Sequence, residues 1–100
     1  MSTELEKIEK KIIRLKAVLA ATGNMRPGKL SVQYRNPSER KTPFNQISYT
    51  LDGKSRSEYV RPENLSKVKK EILAYKKFKE SVEEVITLSL EASKLRYRRE

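Results

Sequence analysis

The chain contains no cysteine, no histidine and no tryptophan. Without cysteine there is no disulfide framework and no thiolate metal site. Without histidine as well, the usual zinc sites, the Ser-His and Cys-His nucleophile pairs and imidazole acid–base chemistry are all excluded. Long apolar runs are missing too: none approaches the ~18 residues needed to span a membrane. The opening MSTELEKIEKK is charged almost from its first residue and lacks the apolar stretch of a signal peptide. The expectation is a cytoplasmic protein with no membrane contact. Carboxylates are not clustered. Glu39, Asp52, Glu58 and Glu63 stand apart in the middle of the chain, and Glu83-Glu84 lies among lysines at salt-bridge spacings. Asp52 is explained by the turn it occupies, and a metal-dependent nuclease needs a carboxylate group that is not visible here. No catalytic residue, metal ligand or cofactor is therefore assigned, and an enzyme is not expected.

What is present is positive charge. Lys and Arg number 23 against 13 Asp and Glu, a net charge of +10 over 100 residues. A chain of this length makes one small domain, with a modest core. Its hydrophobic and charged fractions are equal at 36%, which is lean for a self-sufficient globule and common in helical hairpins and oligomers. The charge excess points to a polyanionic partner, nucleic acid first.

Glycine and proline are few, three and four residues, and all seven fall between residues 23 and 62. They divide the chain into three parts. Residues 3–22 read as a helix: Thr3 and Glu6 form a capping box, and Leu5, Ile8, Ile12, Leu15 and Leu19 make a heptad seam. Gly23-Asn24 is expected to end it. Residues 29–61 read as a three-stranded antiparallel meander. KLSVQYR and QISYTL alternate, and SRSEYV follows the Asp52-Gly53 turn. Two registers are open at that turn. A strict two-residue turn pairs Leu51 with Lys54; a bulged loop pairs Leu51 with Ser55 and sets Tyr59 opposite Ile47. The bulge is favoured because it places Tyr59 with Ile47 and Tyr49. NPSERKTPFN, residues 36–45, reads as a polar mobile loop between the first two strands. Residues 62–97 read as one long helix, started by Pro62 and Glu63. At ~50 Å it outruns the ~30 Å first helix, so its C-terminal half needs another cover. A second copy of the chain, pairing through Val82, Val85, Ile86, Leu88, Ala92 and Leu95, is the simplest one. The fold class expected is α+β: two helices forming a helical hairpin or coiled coil, with the β-meander inserted between them.

The charge is uneven. Residues 23–62 hold eight cations, Arg26, Lys29, Arg35, Arg40, Lys41, Lys54, Arg56 and Arg61, against the three acids Glu39, Asp52 and Glu58. Five of the eight are arginines, which fork onto phosphates and base edges. These eight are the candidate nucleic-acid contacts. Arg35 and Arg56 are expected on the polar face beside hydroxyls of Ser31, Ser48, Thr50, Ser55 and Ser57, a backbone-gripping set. Tyr34, Tyr49 and Tyr59 read as core by their alternation, with base stacking as the other reading. The turn Arg26-Pro27-Gly28-Lys29 can offer amide N–H groups to a phosphate, or serve as a plain helix-to-strand connector.

GNMRPGKLSVQYR, then ISYTLDGKSRSEYVRPENLSKVKKEILAYKKFKE, then LSLEASKLR together resemble a family of small bacterial and archaeal proteins of unknown function, often encoded beside transposase genes. The resemblance spans roughly residues 23–96 and is most specific in the hairpin and YVRPENL. Many relatives carry a cysteine knuckle between the first two strands. This chain has NPSERKTPFN there, so no metal role carries over. The resemblance implies a mobile-element setting and supplies no activity. Two functions follow as expectations. The first is a homodimeric nucleic-acid-binding accessory or regulatory protein of a mobile element, DNA ahead of RNA. The second is a helical oligomerisation or adaptor module that binds a transposase or another protein.

Overall fold

The computed structural model describes residues 3–36, 38 and 41–98. It is an α+β chain of two helices and one three-stranded antiparallel sheet: α1 (Glu4–Ala20), β1 (Lys29–Asn36), β2 (Lys41–Leu51), β3 (Lys54–Val60), a 3-10 turn (Pro62–Asn64) and α2 (Leu65–Arg96). The strands lie in the order β1-β2-β3. The chain divides into two compact units, Asn24–Lys76 and Met1–Gly23 with Lys77–Glu100, and α2 contributes to both.

In the helical unit, the Thr3 hydroxyl accepts the Glu6 amide at 3.1 Å. This satisfies one of the donors that a helix start leaves without a partner. The far end of α1 differs from the expectation. Ala21 is the C-cap in right-handed helical geometry, and Gly23 is not among the residues with positive φ. The Thr22 hydroxyl donates to the Val18 carbonyl instead, so a side chain does what a left-handed glycine was expected to do. Ile12 and Ala92 are buried, and Lys11 pairs with Glu84 at 3.1 Å. The seam residues Leu5, Ile8, Leu15 and Leu19 are half-buried, as are Val82, Val85, Leu88 and Leu95 of α2. Ala92 has no exposed surface. Its methyl is covered by its own chain, which corrects the expectation that it waits for a second copy. Ile86 is 62% exposed and Leu90 is exposed beside it on α2, while Tyr97 is exposed just past the helix end.

In the sheet unit, β1 pairs with β2 from Lys29↔Ser48 to Asn36↔Lys41. β2 therefore starts at Lys41, well before Gln46, so residue 36 and residues 41–45 of the expected loop are strand; residues 37, 39 and 40 lie outside the described residues. The Asp-Gly turn is the strict two-residue one: Leu51 pairs with Lys54, Tyr49 with Arg56, Ile47 with Glu58 and Asn45 with Val60. The favoured bulge is thus corrected. Asp52 and Gly53 both take positive φ, 52° and 76°. That is the primed turn whose twist matches the flanking strands. Parity then buries Val60 (4% exposed) near Ile47 (0%) and leaves Tyr59 57% exposed on the other face. A shift of one residue exchanges the two faces.

Residues 24–28 lie close against this unit. The Arg26 amide donates to the Glu71 carbonyl of α2 at 3.0 Å. Gly28 presses so closely on Ile47 that an added β-carbon would stand 2.7 Å from its Cγ1. Leu65, Val68, Ile72 and Tyr75 on the first turns of α2 are half-buried.

Candidate nucleic-acid interface

The register sorts the sheet into two unlike faces, because successive side chains alternate. One face carries Leu30, Val32 and Tyr34 from β1, Asn45, Ile47, Tyr49 and Leu51 from β2, and Lys54, Arg56, Glu58 and Val60 from β3. It holds the buried pair Ile47 and Val60.

A charged network sits on that face. Glu58 accepts from the Arg26 guanidinium through Oε2, while the Tyr49 hydroxyl donates to Oε1 at 2.6 Å. The Arg26 guanidinium also lies 5.6 Å from the centre of the Tyr49 ring, within cation–π range. The hydrogen bond from Tyr49, then that from Arg26, holds the Glu58 carboxyl below its ordinary range. The same hydrogen bond, with the carboxylate's charge, raises the Tyr49 phenol. Arg26 was expected to contact nucleic acid. In the fold its guanidinium pairs with Glu58 and its amide donates to the Glu71 carbonyl, which ties the connector to the sheet and to α2.

The opposite face is open. It carries Lys29, Ser31, Gln33 and Arg35 from β1, Phe44, Gln46, Ser48 and Thr50 from β2, and Ser55, Ser57 and Tyr59 from β3. None of these is buried. Its floor is polar: Gln46, Ser48, Thr50, Ser55 and Ser57, with Tyr49 and Arg56, line a shallow concavity of about 310 Å³. Gln33 donates to the Ser31 hydroxyl at 3.1 Å. No carboxylate stands among the described residues of this face; Asp52 lies in the turn and Glu58 on the other side.

The eight candidate cations therefore do not share one surface. Lys29 and Arg35 lie on the open face with all five expected hydroxyls. Lys54 and Arg56 lie on the opposite one, across from Leu51 and Tyr49, which corrects the placement of Arg56 beside the hydroxyls. Arg61 follows Val60 in extended geometry, φ −66° and ψ 142°. It stands one step past the ladder, as the N-cap of the 3-10 turn, and the pairing assigns it to neither face. Lys41 opens β2 opposite Asn36, and Arg40 is outside the described residues.

Sequence reasoning missed the aromatic pair. Phe44 was placed in a loop and Tyr59 in the core. In the fold they are diagonal neighbours on the open face, ring centres 6.2 Å apart and tilted by 53°. The alternation of Phe44, Gln46 and Ser48 was the available signal, masked by Pro43. Among known proteins, no family model matches the chain, and neither a curated protein nor a solved structure is similar to it. No described helix is long and apolar enough to cross a membrane.

Proposed function

We propose that this chain is a nucleic-acid-binding protein, DNA ahead of RNA, acting as an accessory or regulator of a mobile element and gripping its target through the sheet. The observation that carries the binding role is the open face: hydroxyls and amides with Lys29 and Arg35 and no described carboxylate, with Arg61 just past the end of β3. Backbone contacts to nucleic acid come from such hydroxyls and cations. A net charge of +10 supplies long-range attraction to phosphates. The mobile-element setting rests on the family resemblance alone.

The test is binding of the purified protein to labelled duplex DNA, single-stranded DNA and RNA across a salt series. A Lys29/Arg35/Arg61→Gln variant, checked for fold by circular dichroism, runs beside it. Salt-sensitive binding that weakens in the variant supports the reading, and the preferred probe identifies the nucleic acid. Absent binding, or binding unchanged by salt and by the substitutions, overturns it.

A second reading is favoured by a separate observation. Ile86 and Leu90 are exposed along α2 at a spacing of four, one side of a helix, and Tyr97 is exposed just past its end. Under it, the two helices form a hairpin or short coiled coil that pairs with a second copy or carries a transposase or other protein. Ile86→Asp with Leu90→Asp should then abolish self-association in sedimentation while leaving the sheet intact. Unchanged sedimentation would count against it.

A further inference from the structure

Building on the nucleic-acid reading above, we propose that the strand bound is single and unpaired, laid across the open face with Phe44 and Tyr59 as its base-stacking platform.

The first ground is the exposure of the pair. Tyr59 is more than half exposed on a face with no apolar cover, and Phe44 lies beside it at a ring separation of 6.2 Å. Neither the turn nor the core requires an aromatic there: parity gives the core position to Val60. Exposed rings on a polar sheet meet base faces well, and do so with any base.

The second ground is what a duplex can offer. In paired DNA the base faces are already stacked on one another, and only edges, sugars and phosphates remain reachable. Phe44 and Tyr59 would find no partner there without unstacking the duplex. An unpaired strand presents base faces freely.

The third ground is the layout. Three strands at ~4.8 Å spacing give a floor about 10 Å across. Cations stand at its margins, with Lys29 and Arg35 on the β1 edge and Arg61 at the end of β3. Between them lie Ser31, Gln33, Gln46, Ser48 and Ser57, which both donate and accept. This arrangement puts phosphates at the rim, base edges over the amides and hydroxyls, and base faces against the rings. The short side chains of the floor hold no long cation that could follow the two phosphate ridges of a duplex.

The experiment measures anisotropy of three labelled probes with the full chain: an oligothymidylate of about twelve nucleotides, a duplex of the same length, and an abasic strand with the same phosphates. The variants are Tyr59→Ala, Tyr59→Phe and Phe44→Leu, all at exposed or half-exposed positions, with melting curves to show they fold. The expected result is preference for oligothymidylate over duplex, and a loss on the order of tenfold or more in Tyr59→Ala. Tyr59→Phe should restore binding, and the abasic strand should bind the parent protein as weakly as Tyr59→Ala binds oligothymidylate. Duplex bound as tightly as single strand, with Tyr59→Ala and the abasic strand unaffected, overturns the stacking platform and leaves nucleic-acid binding standing. No binding to any probe, including at low salt, overturns both.

Discussion

Gly28 takes φ +145°, and a β-carbon there would come within 2.7 and 2.8 Å of Ile47 Cγ1 and Cδ1 and 3.2 Å from the Ser48 carbonyl oxygen. Ile47 is wholly buried and has no room to yield. Backbone strain and overpacking therefore act together, and Gly28→Ala should destabilise by about 2–4 kcal/mol in urea denaturation. Gly23 is the internal comparison: nothing lies within 4 Å of its would-be β-carbon, so Gly23→Ala should be near neutral or slightly stabilising. The Arg26–Glu58–Tyr49 network makes a prediction of a different kind. Glu58 is held below its ordinary value, so its contribution is present above the usual carboxylate range and is lost as pH falls through the lowered value. Tyr49 is held above its ordinary value, so its contribution is present below the usual phenol range and is lost as pH rises through the raised one. The network should thus support the fold most between about pH 5 and 9. Melting temperature against pH should fall more gently on both flanks in Glu58→Gln than in the parent. Parallel curves would separate the network from stability.

At the scale of elements, the β2–β3 hairpin depends on two residues. Asp52 and Gly53 both adopt positive φ, the geometry for which Asn-Gly and Asp-Gly are preferred. Gly53→Ala should cost about 1 kcal/mol or more, read by denaturation and by faster amide exchange along β3, whereas Asp52→Asn should be tolerated. This turn also separates what was legible in the sequence from what was not. The helices, the three strands and their order could be read from heptad spacing, alternation and the clustering of glycine and proline. The register could not, because Tyr59 and Val60 are adjacent apolar residues that compete for one core position. Either parity leaves an alternating strand. Turn chemistry decides between them, and the Asp-Gly pair outweighs the pull of an aromatic contact. Two misplacements on the sheet follow from that one residue of phase: Arg56 moves away from the hydroxyls, and Tyr59 moves out of the core. Pro43 hid the start of β2 for a related reason. A residue without an N–H is read as a strand breaker, yet here it pairs with Tyr34 in the strand's first turn of pleat.

At the scale of the whole molecule, the cations themselves were legible and their grouping was not. Composition reveals an excess of ten positive charges but not which of them face one way. Two explanations of nucleic-acid affinity therefore compete: a diffuse effect of net charge, and local contact on the open face. They separate in a comparison matched for charge. Lys29/Arg35/Arg61→Gln and Lys7/Lys10/Arg14→Gln each remove three cations, so both variants carry the same net charge. The second set lies on exposed positions of α1, in the other compact unit. Long-range attraction is screened beyond about 10 Å at moderate salt, whereas a phosphate contact releases counterions at the point where it forms. For a single strand each contact adds about 0.7 to the slope of log K against log salt. The face variant should therefore lose about 2 units of slope, and the α1 variant should keep nearly the parent's slope with a small loss of affinity confined to low salt. Equal losses in the two variants would mean that net charge, and not the hydroxyl-lined face of the sheet, draws the polyanion.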